Sequence, residues 1–283
     1  MIELKLRRPS PPKERKSRII NDCMTPKQTA IFGIVFILML FVIVFMTASV
    51  ANAQDPKKYI PPKAFDYRDT LFQEVNRYVP EIPDYNFIPS IIEHESCISL
   101  KHSKCWSPNA ELKTSREQGV GFFQLTRAWN PDGSLRMDTI QGLKNRYTTH
   151  LKELTWNNVK DRPDLQFRAG ILHMMENLNK LDMIEDPTEK MAFLAAMHNG
   201  GNWPIKERRT CGLKAGCDPQ KWFGNVENAC MRSKKPMANY GNRSICDIAK
   251  AYPRDVIYTR LPKYQDQYFT EDYLKSKGIV SKK

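Results

Sequence analysis

Ile91-Ile92-Glu93-His94-Glu95-Ser96 is the stretch on which both the fold and the chemistry turn. It closes a segment, Phe87 to Ser96, that reads as a short helix, with Pro89 tolerated in the first turn. At helical spacing Ile91, Ile92 and Glu95 lie three or four residues apart and share a face, while Glu93 and His94 point elsewhere. A carboxyl at the apolar edge of a helix has its charged form disfavoured and its pKa raised. That is the state a general acid needs near neutral pH, and the environment that serves the proton donor of a glycosidase. The plainer reading is an amphipathic helix that ends in Glu-Ser by chance.

Outward from this helix the pattern stays mostly helical. Phe65 to Tyr78 spaces Phe65, Tyr67, Leu71, Phe72, Val75 and Tyr78 at helix-like intervals. Pro163 to Leu181 and Pro187 to His198 each open near a proline, with Asp186 as N-cap of the second and Gly200-Gly201 as its stop. Asp218 to Met231 and Ser244 to Lys263 are further predicted helices, the latter disturbed at Pro253. Between Lys101 and Asn130 the pattern loosens, and Gly119 and Gly121 predict a turn or small hairpin. No internal repeat is present. The pattern predicts a mainly α domain with a small irregular or β element.

At the other end, Ala30 to Val50 (AIFGIVFILMLFVIVFMTASV) is a run of 21 uncharged residues, close to the ~20 that cross a hydrocarbon core as a helix. Eight basic and three acidic residues precede it, which predicts a cytoplasmic head over 1–29. Ala51-Asn52-Ala53 follows the small-x-small pattern of a signal peptidase site. Residues 30–53 are therefore expected to act as a signal peptide, or as an inner-membrane anchor through 30–50 if uncleaved. Met24 is an alternative start that leaves a leader of 30 residues. A proline-rich spacer over 54–66, a main domain over 67–265 and a basic, frayed tail over 266–283 complete the expected organisation.

Of the 283 residues 41% are hydrophobic, enough for a sizeable core, so wholesale disorder is excluded. The net charge of +13 draws polyanions in general. Nucleic acid ranks low among them, because the basic residues are dispersed and export removes the domain from cytoplasmic DNA. Cys97, Cys105, Cys211, Cys217, Cys230 and Cys246 lie beyond the apolar run. Six cysteines allow fifteen pairings, and the simplest joins sequence neighbours: Cys97–Cys105, Cys211–Cys217 and Cys230–Cys246. An oxidising periplasm would sustain them. A zinc site built from His94, Cys97, His102 and Cys105 is the weaker alternative, since the spacing fits no common zinc pattern.

Three more segments carry polar groups in ligand-friendly settings. Gly119-Val120-Gly121-Phe122-Phe123-Gln124 offers a sharp turn, aromatic rings and a neutral amide. Ala196-Met197-His198-Asn199-Gly200-Gly201 offers the Asn199 amide at a helix stop, and Tyr252 lies on the last strong helix. Each has a purely structural reading: a hairpin turn, a C-cap, a core tyrosine.

Taken in order, Glu95-Ser96, Trp106-Ser107-Pro108-Asn109-Ala110, the Gly119–Gln124 segment, the Ala196–Gly201 segment and Tyr252 resemble the soluble lytic transglycosylase and goose-type lysozyme family (glycoside hydrolase family 23). The resemblance spans about residues 85 to 260. It departs from the family in the residues around Cys97 and Cys105, in the Gly-x-Gly spacing, and at His198. It also departs in a disulfide-braced insertion over about 204–246. The resemblance implies a lysozyme-like α+β fold and cleavage of peptidoglycan glycan strands without cofactor or metal. Glu95 would be catalytic acid and base, with Ser96, Gln124, Asn199 and Tyr252 binding substrate. In such enzymes the glutamate protonates the oxygen between N-acetylmuramic acid and N-acetylglucosamine. The muramyl C6 hydroxyl then closes onto C1, leaving a 1,6-anhydro end.

That scheme needs one carboxyl group, where ordinary glycosidases generally use two. Glu93, Glu111 and Glu117 are the candidate second carboxylates for the alternative, a hydrolytic muramidase. A third reading is a non-catalytic wall-binding part of a larger cell-envelope machine for secretion, conjugation or phage lysis.

Overall fold

In a computed structural model, which describes residues 57–279, the chain starts with α1 (Pro62–Asp66) and α2 (Arg68–Tyr78), separated by a turn at Tyr67. The sequence predicts one helix here. Then α3 (Phe87–Ser96) runs over the expected residues. Most of its residues are buried, including Ile91 and Ile92. Asn86 anchors its start: its side chain donates to the carbonyl of Phe269 at 3.1 Å and accepts from the Phe269 amide at 2.9 Å.

The loose segment is a four-stranded antiparallel meander in sequence order: β1 (Glu111–Lys113), β2 (Glu117–Val120), β3 (Leu125–Trp129) and β4 (Leu135–Asp138). The predicted hairpin at Gly119–Gly121 is its β2–β3 turn, where Val120 pairs with Leu125. Gly121 has φ +80°, and a Cβ there would sit 1.8 Å from Oε1 of Gln166, so this turn requires glycine. Two short helices follow that sequence periodicity does not predict, α4 (Thr139–Arg146) and α5 (Thr148–Leu151). With α6 (Pro163–Leu178) they enclose a small core of Val120, Leu125, Ile140, Leu143, Leu151 and Leu172 under the sheet.

The larger core gathers α2, α3, α6, α7 (Pro187–Gly200) and the C-terminal helices. Asp186 caps α7, accepting from the Glu189 amide at 2.8 Å, and Gly201 ends it at φ +60°. Next comes α8 (Trp203–Gly212), inside the segment read as an insertion. The helix predicted over Asp218 to Met231 is absent; only Val226–Ala229 forms a 3₁₀ turn. Side chains take over as acceptors there: Glu189 receives the Trp222 amide at 2.7 Å, and Glu227 receives that of Gly224 at 2.7 Å. With those donors committed, a regular helix cannot form.

The long helix predicted over Ser244 to Lys263 divides into α9 (Ile245–Arg254), a π-helix (Asp255–Arg260) and α10 (Leu261–Gln267). Ser244 and Asp247 form a capping box at the start of α9. Pro253 cannot donate into the helical ladder, and the wider π spacing begins two residues later. The expected frayed tail contains α11 (Glu271–Ser276), capped by Thr270, and it follows the fully buried Tyr268 and Phe269. The expected spacer likewise packs inward: Ala64 is buried, and its carbonyl accepts from the Tyr268 hydroxyl at 2.8 Å. Both ends belong to the fold because aromatic burial outweighs their polar composition.

The architecture is α+β, mostly helical with one small sheet. Disulfides join Cys97–Cys105, Cys211–Cys217 and Cys230–Cys246, the sequence-neighbour pairing. The first removes both thiols from the alternative zinc set. Among the described residues no helix is long and apolar enough to cross a membrane. The expected head and leader, 1–29 and 30–53, lie outside the described residues.

Candidate active site

Glu95 sits in the last turn of α3, as the shared face with Ile91 and Ile92 requires, and its side chain is 16% exposed. It opens on a cleft of about 980 Å³, at the top of the range of about 300–1,000 Å³ typical of ligand sites. The sheet supplies one wall, with Leu112, Gly119, Gln124 and Met137. The end of α7, the start of α8 and the Cys230–Cys246 segment supply the other, with Asn199, Trp203, Arg232 and Ile245. Ile98, Leu112, Met137, Trp203 and Ile245 are large apolar side chains exposed along it. Exposed apolar groups concentrated in one groove mark a binding surface.

Two helices bring partners to Glu95. The Tyr252 hydroxyl, from α9, donates to Oε1. His198, from α7, brings Nε2 to 3.5 Å from the same oxygen. Oε2 is thus the oxygen left for a proton and a ligand. Burial pushes the Glu95 carboxyl above the usual carboxylate range, and His94, the Tyr252 hydrogen bond and Arg260 oppose this without reversing it. Burial, with the Glu95 carboxyl close by, pushes the Tyr252 phenol well above its ordinary value, so it remains a donor. Burial, aided by His173 and His94, holds His198 at about 3. Its imidazole is therefore neutral, and its contact with Glu95 is polar rather than an ion pair.

The other predicted residues divide in role. The Ser96 hydroxyl donates to the Ile92 carbonyl at 2.7 Å and accepts from the Trp106 amide at 3.2 Å. It is buried and ties the Cys97–Cys105 loop to α3. Gln124, at φ +46°, donates to the Gly121 carbonyl at 3.0 Å, and its buried Oε1 has no hydrogen-bond partner among the described residues. A Cβ on Gly119 would lie 2.7 Å from that oxygen, which accounts for the first glycine of the segment. Asn199 lines the cleft and is exposed, but the neighbour His198 is what reaches Glu95.

Of the candidate second carboxylates, Glu93 faces away, as its helical position predicts. It is buried and held by Arg260 and Lys263, each at 2.7 Å, and by the Tyr264 hydroxyl at 2.8 Å. Glu111 and Glu117 both line the cleft. Glu111 takes Lys160 at 2.7 Å and Gln118 at 2.6 Å, and the hydrogen bonds from these two groups lower its pKa. Glu117 pairs with Arg136 at 2.7 Å.

Sequence reasoning missed His198, the Asp255–Arg260 pair behind His94, and the Trp203–Arg232 wall. A core histidine and a charged helix turn carry no periodic signal of a site. Arg232 is fixed by a buried pair with Glu207 at 3.1 Å, a contact between residues 25 apart. Comparison with known proteins finds no family, no curated protein and no solved structure that matches the chain.

Proposed function

We propose that the protein is a peptidoglycan lytic transglycosylase, cutting the bond between N-acetylmuramic acid and N-acetylglucosamine and leaving 1,6-anhydro ends. The observation that carries this reading is the Glu95 carboxyl group, its pKa raised by burial, beneath an open cleft with exposed apolar side chains. Glu95 gives its proton to the glycosidic oxygen, and positive charge develops at C1 as the bond breaks. The new carboxylate is steadied by the Tyr252 hydroxyl, and a charge-assisted hydrogen bond strengthens as that charge forms. The muramyl C6 hydroxyl loses its proton and closes onto C1. That attack is intramolecular and gains from proximity.

The cleft supports a glycan ligand in two further ways. Its exposed apolar side chains match the faces of sugar rings, and the Gln124 oxygen, unpaired among the described residues, is an acceptor for an N–H or O–H group. Three disulfides favour an oxidising compartment, which fits a periplasmic site of action at the wall or at the inner membrane that bounds it.

Glu111 and Glu117, on the sheet wall of the cleft, favour one rival: hydrolysis by an activated water. Mass spectrometry of peptidoglycan digested by the purified protein separates the two. Anhydro-muropeptides are expected. Reducing ends would replace the reading with a muramidase, and bound but uncut wall would replace it with a binding role.

A further inference from the structure

His94 precedes Glu95 and leaves the helix on a different side, yet it lines the same cleft. Its side chain is 28% exposed, and its ring packs against that of Tyr252 with centroids 4.2 Å apart. Behind it, Nδ1 meets Oδ2 of Asp255 at 2.6 Å. Arg260 donates to the same carboxylate and pairs through Nη1 with Glu93 at 2.7 Å. Burial alone would raise the Asp255 carboxyl, but hydrogen bonds and charge from His94 and Arg260 hold it at about 2. With Arg260 donating to the same oxygen, Asp255 serves as the acceptor of the His94 contact, so a neutral His94 carries its proton on Nδ1 and its lone pair on Nε2. A carboxylate that fixes the tautomer of an imidazole in a ligand cleft is the arrangement that makes a general base.

We propose that His94, oriented by Asp255, is a second catalytic residue of this site and accepts the proton of the attacking hydroxyl through Nε2. This rests on the glycan-cleaving reading above and divides its proton transfers between two groups. As the hydroxyl oxygen bonds to C1, its proton passes to Nε2 of His94. The C1–O bond breaks, and the leaving oxygen takes the Glu95 proton. Glu95 is left as a carboxylate and His94 as an imidazolium stabilised by Asp255. Return of that proton to Glu95 through cleft water resets both groups, with no net gain or loss.

Asp255 and Arg260 are the first and last residues of the π-helix, and both contact side chains of α3. The groups that face His94 are Asp255 and Arg260 from that π-helix, Tyr252 from α9, Glu95 beside it and His198 from α7.

The test is steady-state turnover of purified peptidoglycan by the full-length protein and its variants across pH. His94→Ala is expected to lower kcat by about 100-fold with little change in KM, and to flatten the acidic limb of the kcat profile. Added imidazole is expected to restore turnover to His94→Ala and not to Glu95→Gln. Asp255→Asn, which keeps the side-chain shape, is expected to lower kcat by about tenfold or more. Undiminished kcat in His94→Ala would overturn the proposal. So would a loss that imidazole leaves unchanged and that tracks a fall in melting temperature. If the unmodified protein releases no glycan fragments, the glycan reading itself fails and takes the second base with it.

Discussion

Tyr252 donates its hydroxyl hydrogen to Oε1 of Glu95 across 157 residues of sequence. The bond favours the carboxylate, since it lowers a pKa that burial has raised. Removing it in Tyr252→Phe raises the Glu95 pKa further. The charged form loses about 1.5–3 kcal/mol of stabilisation, so any limb of the pH–activity profile that requires the carboxylate moves to higher pH. A pH–rate series on the two proteins checks the direction.

Glu95→Gln is expected to abolish wall lysis while the protein still folds. It also makes a prediction about stability. The folded-state pKa of Glu95 lies above its value in the unfolded chain. The group's contribution is therefore fully present at pH below the ordinary carboxylate range and is lost as pH rises through the folded value. The glutamine variant should match the parent in acid and melt above it near neutrality. Melting curves at pH 4 and pH 7 test this. A variant that loses ground as pH rises would contradict a buried, protonated Glu95.

His198 works in the opposite sense. It is held at about 3 in the fold, against about 6.5 in an open chain. Its contribution is present above about pH 6.5 and is lost as pH falls toward 3, at about 1.4 kcal/mol per unit of pKa difference. Replacing it by Gln should flatten the acid-induced fall in melting temperature across that window. An unchanged slope would mean the imidazole is not shielded from water.

Gly170 faces the ring of Phe123, and a Cβ there would lie 2.2 Å from the nearest ring carbon. Gly170→Ala forces that ring to move, at a cost of about 1–3 kcal/mol. Because Phe123 precedes Gln124 on the cleft wall, turnover should fall with stability. Denaturant titration and turnover on the same sample measure both effects. A fully stable Ala variant would show that the ring has room to shift.

Much of this was legible in the residues. Pro187, Asp186 and Gly201 mark the ends of α7 because each acts within one turn, and the Ile91–Ile92–Glu95 spacing announces a carboxyl aimed along an apolar face. Sequence neighbours among the cysteines were enough to pair them. What stayed hidden depends on distance along the chain. Nothing near Trp222 shows that its amide will bond Glu189, 33 residues earlier, and so the segment looked helical. The roles of His198, His94 and Asp255 likewise exist only where separate helices meet. Polar composition misjudged the two ends, whose aromatic residues are claimed by a core built elsewhere.

The acid and its phenol partner are supplied by opposite ends of the described chain, with α9 arriving after the sheet and every helix up to α8. A chain that stops short of Tyr252 lacks the donor that steadies the carboxylate, and it also lacks Arg260, Lys263 and Phe269, which hold α3 in place. On the proposed wall-cleaving reading that order is a safeguard, because acid and partner are complete only after α9 and the residues beyond it have been made.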